Sequence, residues 1–327
     1  VYKEEIQMKL IVTLLMLGLS SLSLADVTLN GGVGYRYDAT QVDSADRVTK
    51  DRVKAELVAN AKISDNANAV VGLRTGTVNS AYADFGNNAN QETIGLNLAY
   101  VDYAASDAVK VTVGKMNQPW VNTSALLFDK DVKPTGLAVG FKNKSGLFAN
   151  ASSVTITEGG VVKDTKVYTG QVGAKKSLLG LTVTGGVGYF GYAIEGVDID
   201  AQQAFLNVGV DYAGVPVNLF YEGMKNTQAA TGRVSTAGGI KVGNAVMPED
   251  WEVTVLYQEV GANSQYALWQ DSDFAGGQGD NRGLGIIGSY VLAKNVKAGV
   301  KFFDTDRKLS VGREGYKRLL LDLNYTF

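Results

Sequence analysis

From residue 26 onward, apolar and polar side chains alternate with a period of two. In "VTLNGGVGYRY", Val27, Leu29, Val33, Tyr35 and Tyr37 share one face, and Thr28, Asn30 and Arg36 the other. In "RVKAELVANAKI", Val53, Ala55, Leu57, Ala59 and Ile63 oppose Arg52, Lys54, Glu56, Asn60 and Lys62. "VKVTVGK", "GLTVTGGVGYF", "AFLNVGVDY", "WEVTVLYQ" and "NVKAGVKFF" repeat the pattern. Successive side chains of a strand point to opposite faces, so this alternation predicts strands with one apolar face, not helices with a 3.6-residue stripe. Sixteen such runs are predicted, at 26–38, 47–63, 69–78, 92–104, 108–116, 135–143, 146–157, 163–176, 180–192, 202–213, 215–225, 236–246, 250–260, 281–292, 295–305 and 316–327. One strand with its connection takes about 19 residues, which suits membrane-crossing strands of about 9–11 residues plus turns.

The connections alternate in length. Short ones ("SDNAN", "SD", "KSG", "SLLG", "AG", "MPED", "AKN") alternate with longer polar ones such as residues 39–46, 79–91 and 261–280. Short turns at one end and long loops at the other are the habit of an outer-membrane barrel. Of the four prolines, Pro216 and Pro248 fall in short turns, and Pro119 and Pro134 bracket a long loop. None interrupts a strand, where it would remove a ladder hydrogen bond. A soluble β-sandwich is the alternative. Its strands usually recur every 8–12 residues, and its core would need bulkier residues than these charge-bearing inner faces supply. The expected fold is therefore all-β, a transmembrane antiparallel barrel of about sixteen strands.

Composition narrows the chemistry. The 327-residue chain has a net charge of −2, which gives no footprint for nucleic acid. It has no Cys and no His, so disulfides, thiolate metal sites and His-based catalysis are excluded. The 39 Gly, 16 Tyr and 4 Pro fit extensive strand. The acidic, Gly-rich "DSDFAGGQGDN" (residues 271–281) offers oxygen ligands of the kind Ca²⁺ takes, but lacks EF-hand spacing and its closing Glu. An ordinary acidic external loop is the plainer reading; no metal site and no cofactor are assigned.

The N-terminal stretch reads as targeting. Met8-Lys9 precedes an apolar run from Leu10 to Leu19, then "SSLSLA", with small residues at Ser23 and Ala25 before Asp26. Residues 1–25 are expected to be a cleaved signal peptide, with translation starting at Met8. The run is too short for a spanning anchor, and no other apolar run approaches the roughly 18 residues a membrane helix needs.

The chain ends "KRLLLDLNYTF", in which Leu319, Leu321, Leu323, Tyr325 and Phe327 alternate with polar neighbours up to the last residue. A terminal strand of a closed barrel must pair with the first strand, so an aromatic end has a structural use. Leu323, Tyr325 and Phe327 resemble the C-terminal signal recognised by the barrel assembly machinery of Gram-negative outer membranes.

The whole exported chain resembles a bacterial porin, most closely the "putative porin" group of sixteen-stranded barrels. "VGKMNQPWVNTSALLFDKDVKPTGLAVGF", "DSDFAGGQGDNRGLG" and "LLLDLNYTF" carry the resemblance. It implies an outer-membrane, homotrimeric, non-enzymatic channel through which small hydrophilic solutes and ions diffuse, in contact with outer-membrane lipids. A substrate-selective channel, and a structural or adhesive barrel, stand as alternatives. The first segment holds the third long loop, which in general porins folds into the barrel. Residues 117–133, including Asn117, fit that role: Trp120, Val121, Leu126, Leu127 and Phe128 would pack on the inner wall, and Asp129, Lys130, Asp131 and Lys133 would face water. The alternative is an external loop with its own apolar cluster. If Tyr35 and Leu57 face lipid, Arg36, Arg52, Lys54 and Arg74 point inward. The resemblance then sets Asp129 and Asp131 against this basic wall.

Overall fold

The computed structural model describes residues 27–43, 45–77, 80–84, 94–157, 165–194, 197–266, 269–309 and 312–327. The expected signal segment 1–25 lies outside them, as does residue 26 and most of the loop at 79–91.

Sixteen long strands follow one another in chain order: β1 (Val27–Val42), β2 (Val48–Ser64), β3 (Ala67–Thr75), β4 (Ile94–Ala104), β5 (Val109–Lys115), β6 (Thr135–Lys142), β7 (Leu147–Thr157), β8 (Thr165–Leu178), β9 (Leu181–Ile194), β10 (Val197–Tyr212), β11 (Val215–Asn226), β12 (Val234–Gly243), β13 (Trp251–Val260), β14 (Asn281–Ala293), β15 (Val296–Leu309) and β16 (Gly312–Thr326). Each pairs antiparallel with its neighbours in sequence, and β1 pairs with β16 from Gly32↔Thr326 to Val42↔Tyr316. The sheet therefore closes and has no free edge, the condition a sheet must meet in a bilayer. Phe327 completes the closure: its amide donates to the Gly31 carbonyl and its carbonyl accepts from the Gly31 amide, both at 3.0 Å. A Cβ on Gly31 would lie 2.6 Å from the Phe327 ring, so this seam needs a glycine.

The outer surface has three zones. Leu57, Leu206, Leu219, Val255, Ile286 and Leu321 are exposed between two rings of exposed aromatics. Tyr103, Phe141, Tyr212, Trp251, Tyr290, Tyr325 and Phe327 stand at the short-turn end. Tyr35, Tyr168, Tyr189, Tyr221 and Tyr257 stand toward the loop end. An apolar band between aromatic girdles is the surface a lipid bilayer selects.

Short turns close one end. At Leu179-Gly180 (φ 53° and 77°) and Ala213-Gly214 (φ 52° and 82°) both residues are left-handed, the two-residue geometry whose twist matches the flanking strands.

The predicted strands differ from the observed ones at the loop end. Residues 39–46 were expected as a long loop, but β1 runs to Val42, with Gln41 and Val42 paired to Lys317 and Tyr316. Likewise β10 begins at Val197 and β16 at Gly312, before their predicted starts. Above the bilayer both faces of the wall meet water, so alternation fades while the backbone ladder continues. The opposite occurs at β3. It leaves the sheet at Thr75, and the chain turns inward through Thr77↔Ser80 before Ala83 and Asp84 rejoin β2 opposite Val53 and Arg52. Gly76 (φ 90°) makes the departure; a Cβ there would meet the Ser80 carbonyl oxygen at 2.1 Å.

Candidate functional site

The third long loop, between β5 and β6, lies inside the barrel. Trp120, Leu126, Leu127, Phe128 and Val132 are buried in one apolar cluster with inward side chains of the wall: Val154, Val167, Phe190, Tyr192, Ile199, Ala201, Met224, Ala237 and Val260. Trp120 packs edge-on to Phe190 with centroids 5.5 Å apart, and Phe128 lies 5.0 Å from Trp120 and 5.7 Å from Trp269.

A polar ladder on the same wall holds the loop backbone. Gln171 of β8 exchanges two 2.8 Å hydrogen bonds with the backbone of Val121. Its amide also donates to Gln203 of β10 (2.7 Å), whose amide donates to Glu222 of β11 (2.6 Å). The fully buried Glu222 carboxylate accepts from the Ser124 amide (2.9 Å), the Ser124 hydroxyl (2.7 Å) and the Thr123 amide (3.2 Å). Inward parity was legible for all three wall residues. Their common task was not, because their meeting depends on which strands become neighbours and where the loop descends.

A second loop, residues 261–280, was expected to be external. It also folds inward and clasps the first. The Asp129 amide donates to the Trp269 carbonyl (2.7 Å), Gln265 donates to the Leu126 carbonyl, and the Ser272 amide donates to Asp129 (3.2 Å). Asp273 meets three wall cations: Lys301 at 2.6 Å, and Arg36 and Arg318 each at 3.5 Å. Burial alone would raise the Asp273 carboxyl, but Lys301, Arg36 and Arg318 hold it well below the usual carboxylate range. Asp280, in the same acidic run, pairs with Arg313 (2.5 Å) and Lys308 (3.6 Å). These two carboxylates thus engage cationic side chains.

Arg36, Arg52, Lys54 and Arg74 all project inward, but Asp129 and Asp131 do not face them as a set. Among the described residues Arg74 alone of the four forms an ion pair with Asp131, at 2.9 Å. Arg36 pairs with Asp322 (2.6 Å) on the adjacent strand, and Arg52 with Asp38 (3.4 Å) and Asp84 (2.7 Å). Asp129, expected in water, is 3% exposed, with its oxygens turned to the amides of Asp131 and Ser272. Burial, with Asp271 and Asp131 close by, pushes its carboxyl up to about 7. The correction has a plain cause: the second loop covers the side of Asp129 that would otherwise face the lumen. The acidic partners missed in the sequence are Asp38 and Asp322 on the wall, Asp84 after the inward turn and Asp273 on the second loop.

Two of the cavities among the described residues lie beside both loops. One, about 820 Å³, lies against β1–β4 and β15–β16 and is lined by Arg36, Lys54, Glu56, Arg74, Asn117, Lys130, Lys133 and Lys301, among others. Tyr82, from the inward turn after β3, stands in it with the Arg36 guanidinium 4.0 Å above its ring. The other, about 580 Å³, lies against β10–β15 and includes Thr123, Ser124, Asn218 and Lys241. Ala125, Asp271 and Ile287 line both.

A closed sixteen-stranded barrel with a lipid-compatible exterior, a polar lumen and loops folded into that lumen defines a membrane channel. The model of the "putative porin" family matches residues 29–197 and 193–327, and the chain belongs to that family. Solved structures share the fold at low identity. OprB of Pseudomonas putida, at high pH, superposes with a TM-score of 0.67 at 10% identity, covering 92% of this chain and 94% of that one. Salmonella typhi OmpF in complex with daunomycin gives 0.58 at 14% identity, covering 92% and 97%. OmpT of Vibrio cholerae, in its trimer form, gives 0.52 at 11% identity, covering 92% and 99%. No curated protein sequence matches the chain.

Proposed function

We infer that the chain is an outer-membrane porin through which small hydrophilic solutes and ions diffuse passively. One observation carries this reading: the lumen of a barrel with a lipid-facing exterior holds an 820 Å³ space lined by charged and amide side chains beneath a folded loop. Barrels of this strand number leave an aqueous passage, and charged lining replaces part of a solute's hydration shell. The family is one of channels, and the proposal includes no catalytic step.

Four finer points belong to the proposal. Residues 1–25 are an export signal cleaved before Asp26. The assembly machinery reads Leu323, Tyr325 and Phe327. The inward loop at 117–133 sets the bore, with Arg36, Lys54 and Arg74 on the facing wall. The working form is a homotrimer, supported by strand number and by the trimer form of the OmpT neighbour.

Refolded protein in a planar bilayer tests the channel. Stepwise conductance is expected, with liposomes swelling in small sugars and not in large ones. A folded, heat-modifiable barrel that conducts nothing would refute the channel reading.

A further inference from the structure

We propose that the lumen favours small anions, and that Lys54, Lys130 and Lys133 are the residues that read the charge. The inference rests on the porin reading and adds the class of solute.

The larger cavity brings six cationic side chains together, and three are already spoken for. Arg36 is held by Asp322 (2.6 Å), Lys301 by Asp273 (2.6 Å) and Arg74 by Asp131 (2.9 Å). The other three are the ammonium groups of Lys54 on β2 and of Lys130 and Lys133 on the folded loop. Among the described residues none of these has an ion-pair partner within 4.0 Å. Lys133 donates to the Lys130 carbonyl (2.8 Å), and Lys54 stands 5.7 Å from the centroid of the Tyr82 ring. A neutral carbonyl and an aromatic face orient an ammonium and leave its charge uncancelled.

Most carboxylates of the same cavity are engaged by other groups. Asp131, Asp273 and Asp322 belong to the pairs above. Asp129 is buried with both oxygens on backbone amides, and half-buried Asp271 accepts from the Asp273 amide. Burial pushes the Asp129 carboxyl up to about 7 and moves the Asp271 carboxyl in the same direction, as it lowers the Lys133 ammonium. Glu56 lines the space with no ion pair within 4.0 Å among the described residues, and its charge reaches Lys54 and Lys133. The balance, among the described residues, is three ammonium groups that lack an ion pair against one such carboxylate at the surface of the space. They come from both the wall and the loop, so a passing ion meets positive charge on more than one side. Selectivity in pores arises from such sets of charged side chains.

The test is the reversal potential of single channels across a KCl gradient near pH 7. An ammonium at about 5 Å, seen through water and screened at physiological salt, changes the local concentration of a monovalent ion about twofold. Wild-type pores should therefore pass chloride in preference to potassium. The Lys54→Gln, Lys130→Gln, Lys133→Gln triple variant should lower that permeability ratio at least about fourfold, the change one ammonium makes by doubling the anion and halving the cation, while the matching Arg triple keeps it. Acetate should be favoured like chloride, because unpaired ammonium groups read charge rather than shape. Potassium preference in the wild type, an unchanged ratio in the Gln triple, or a preference confined to one anion would each overturn the inference. Heat-modifiability of the variants confirms that they fold. A folded protein without conductance would instead strike the porin reading itself.

Discussion

Glu222→Ala should release the folded loop from the wall. Glu222 is the end of the Gln171–Gln203–Glu222 ladder, and among the described residues no other group receives the amides of Thr123 and Ser124. Alanine strands those two donors and the Gln203 amide. Each stranded buried donor costs about 1–3 kcal/mol. Two effects pull the sum toward its lower end: water can enter from the cavity that Thr123 and Ser124 line, and removing the carboxylate also removes the cost of burying it. A loss of about 3 kcal/mol remains, which shifts the ratio of docked to undocked loop by somewhat over a hundredfold. The apolar cluster around Phe128 still holds the far part of the loop, so the expected result is a pore with a frayed segment near Ser124 rather than an empty barrel. Single-channel records should show a larger or noisier open level, and a protease of broad specificity should cut more readily near Ser124. Glu222→Gln keeps the shape and one acceptor oxygen, and should fall between. Wild-type conductance, noise and protease resistance in the Ala variant would refute the ladder as an anchor.

Deleting Phe327 removes the last backbone pair of the β1–β16 seam, and should lower the yield of heat-modifiable barrel on refolding; an undiminished yield would count against a closing role. Asp131→Asn breaks the 2.9 Å pair with Arg74 and frees a guanidinium beside the larger cavity, so reversal potentials should move toward anions with little change in bore. Leu206→Arg places a cation at the lipid face, at a cost of about 2–4 kcal/mol near mid-bilayer, whereas Asn207→Arg on the lumenal face should cost much less; equal losses in urea refolding titrations would mean the register is wrong. Asp129 supplies a pH dependence. Its carboxyl is raised to about 7 in the folded loop, against about 3.9 in an unfolded chain. The native form therefore holds the proton through that window while the unfolded form releases it. The clasp between the two loops should lose stability as pH rises from about 4 to 7, seen as more channel flicker at pH 8 than at pH 5. Asp129→Asn, which mimics the protonated form, should abolish the difference.

Most of the wall could be read from the order of residues alone. Alternation over two residues depends only on which side of a strand meets lipid. It therefore marked the outward Leu57, Leu206 and Val255 and the inward Arg36, Lys54 and Arg74 without knowledge of neighbours. The terminal Phe327 was legible for the same reason, since a barrel with a first strand needs a last one. The anchoring aromatics Trp120 and Phe128 stood out because bulky apolar side chains in a long polar connection need somewhere to be buried. What the sequence could not supply was the pairing of charges across space. Asp273 lies far along the chain from Arg36, and Asp322 further still, and they meet only because the sheet closes and the loop at residues 261–280 turns in. That loop is mostly polar and Gly-rich but also carries Trp269 and Phe274, each 3% exposed; the strands that bury them, and the cations Lys301, Arg36 and Arg318 that meet Asp273, come together only when the sheet closes. Asp129 shows the same limit. Beside lysines in a short charged run it reads as a solvated residue, and only a second loop packed over it makes it a buried one.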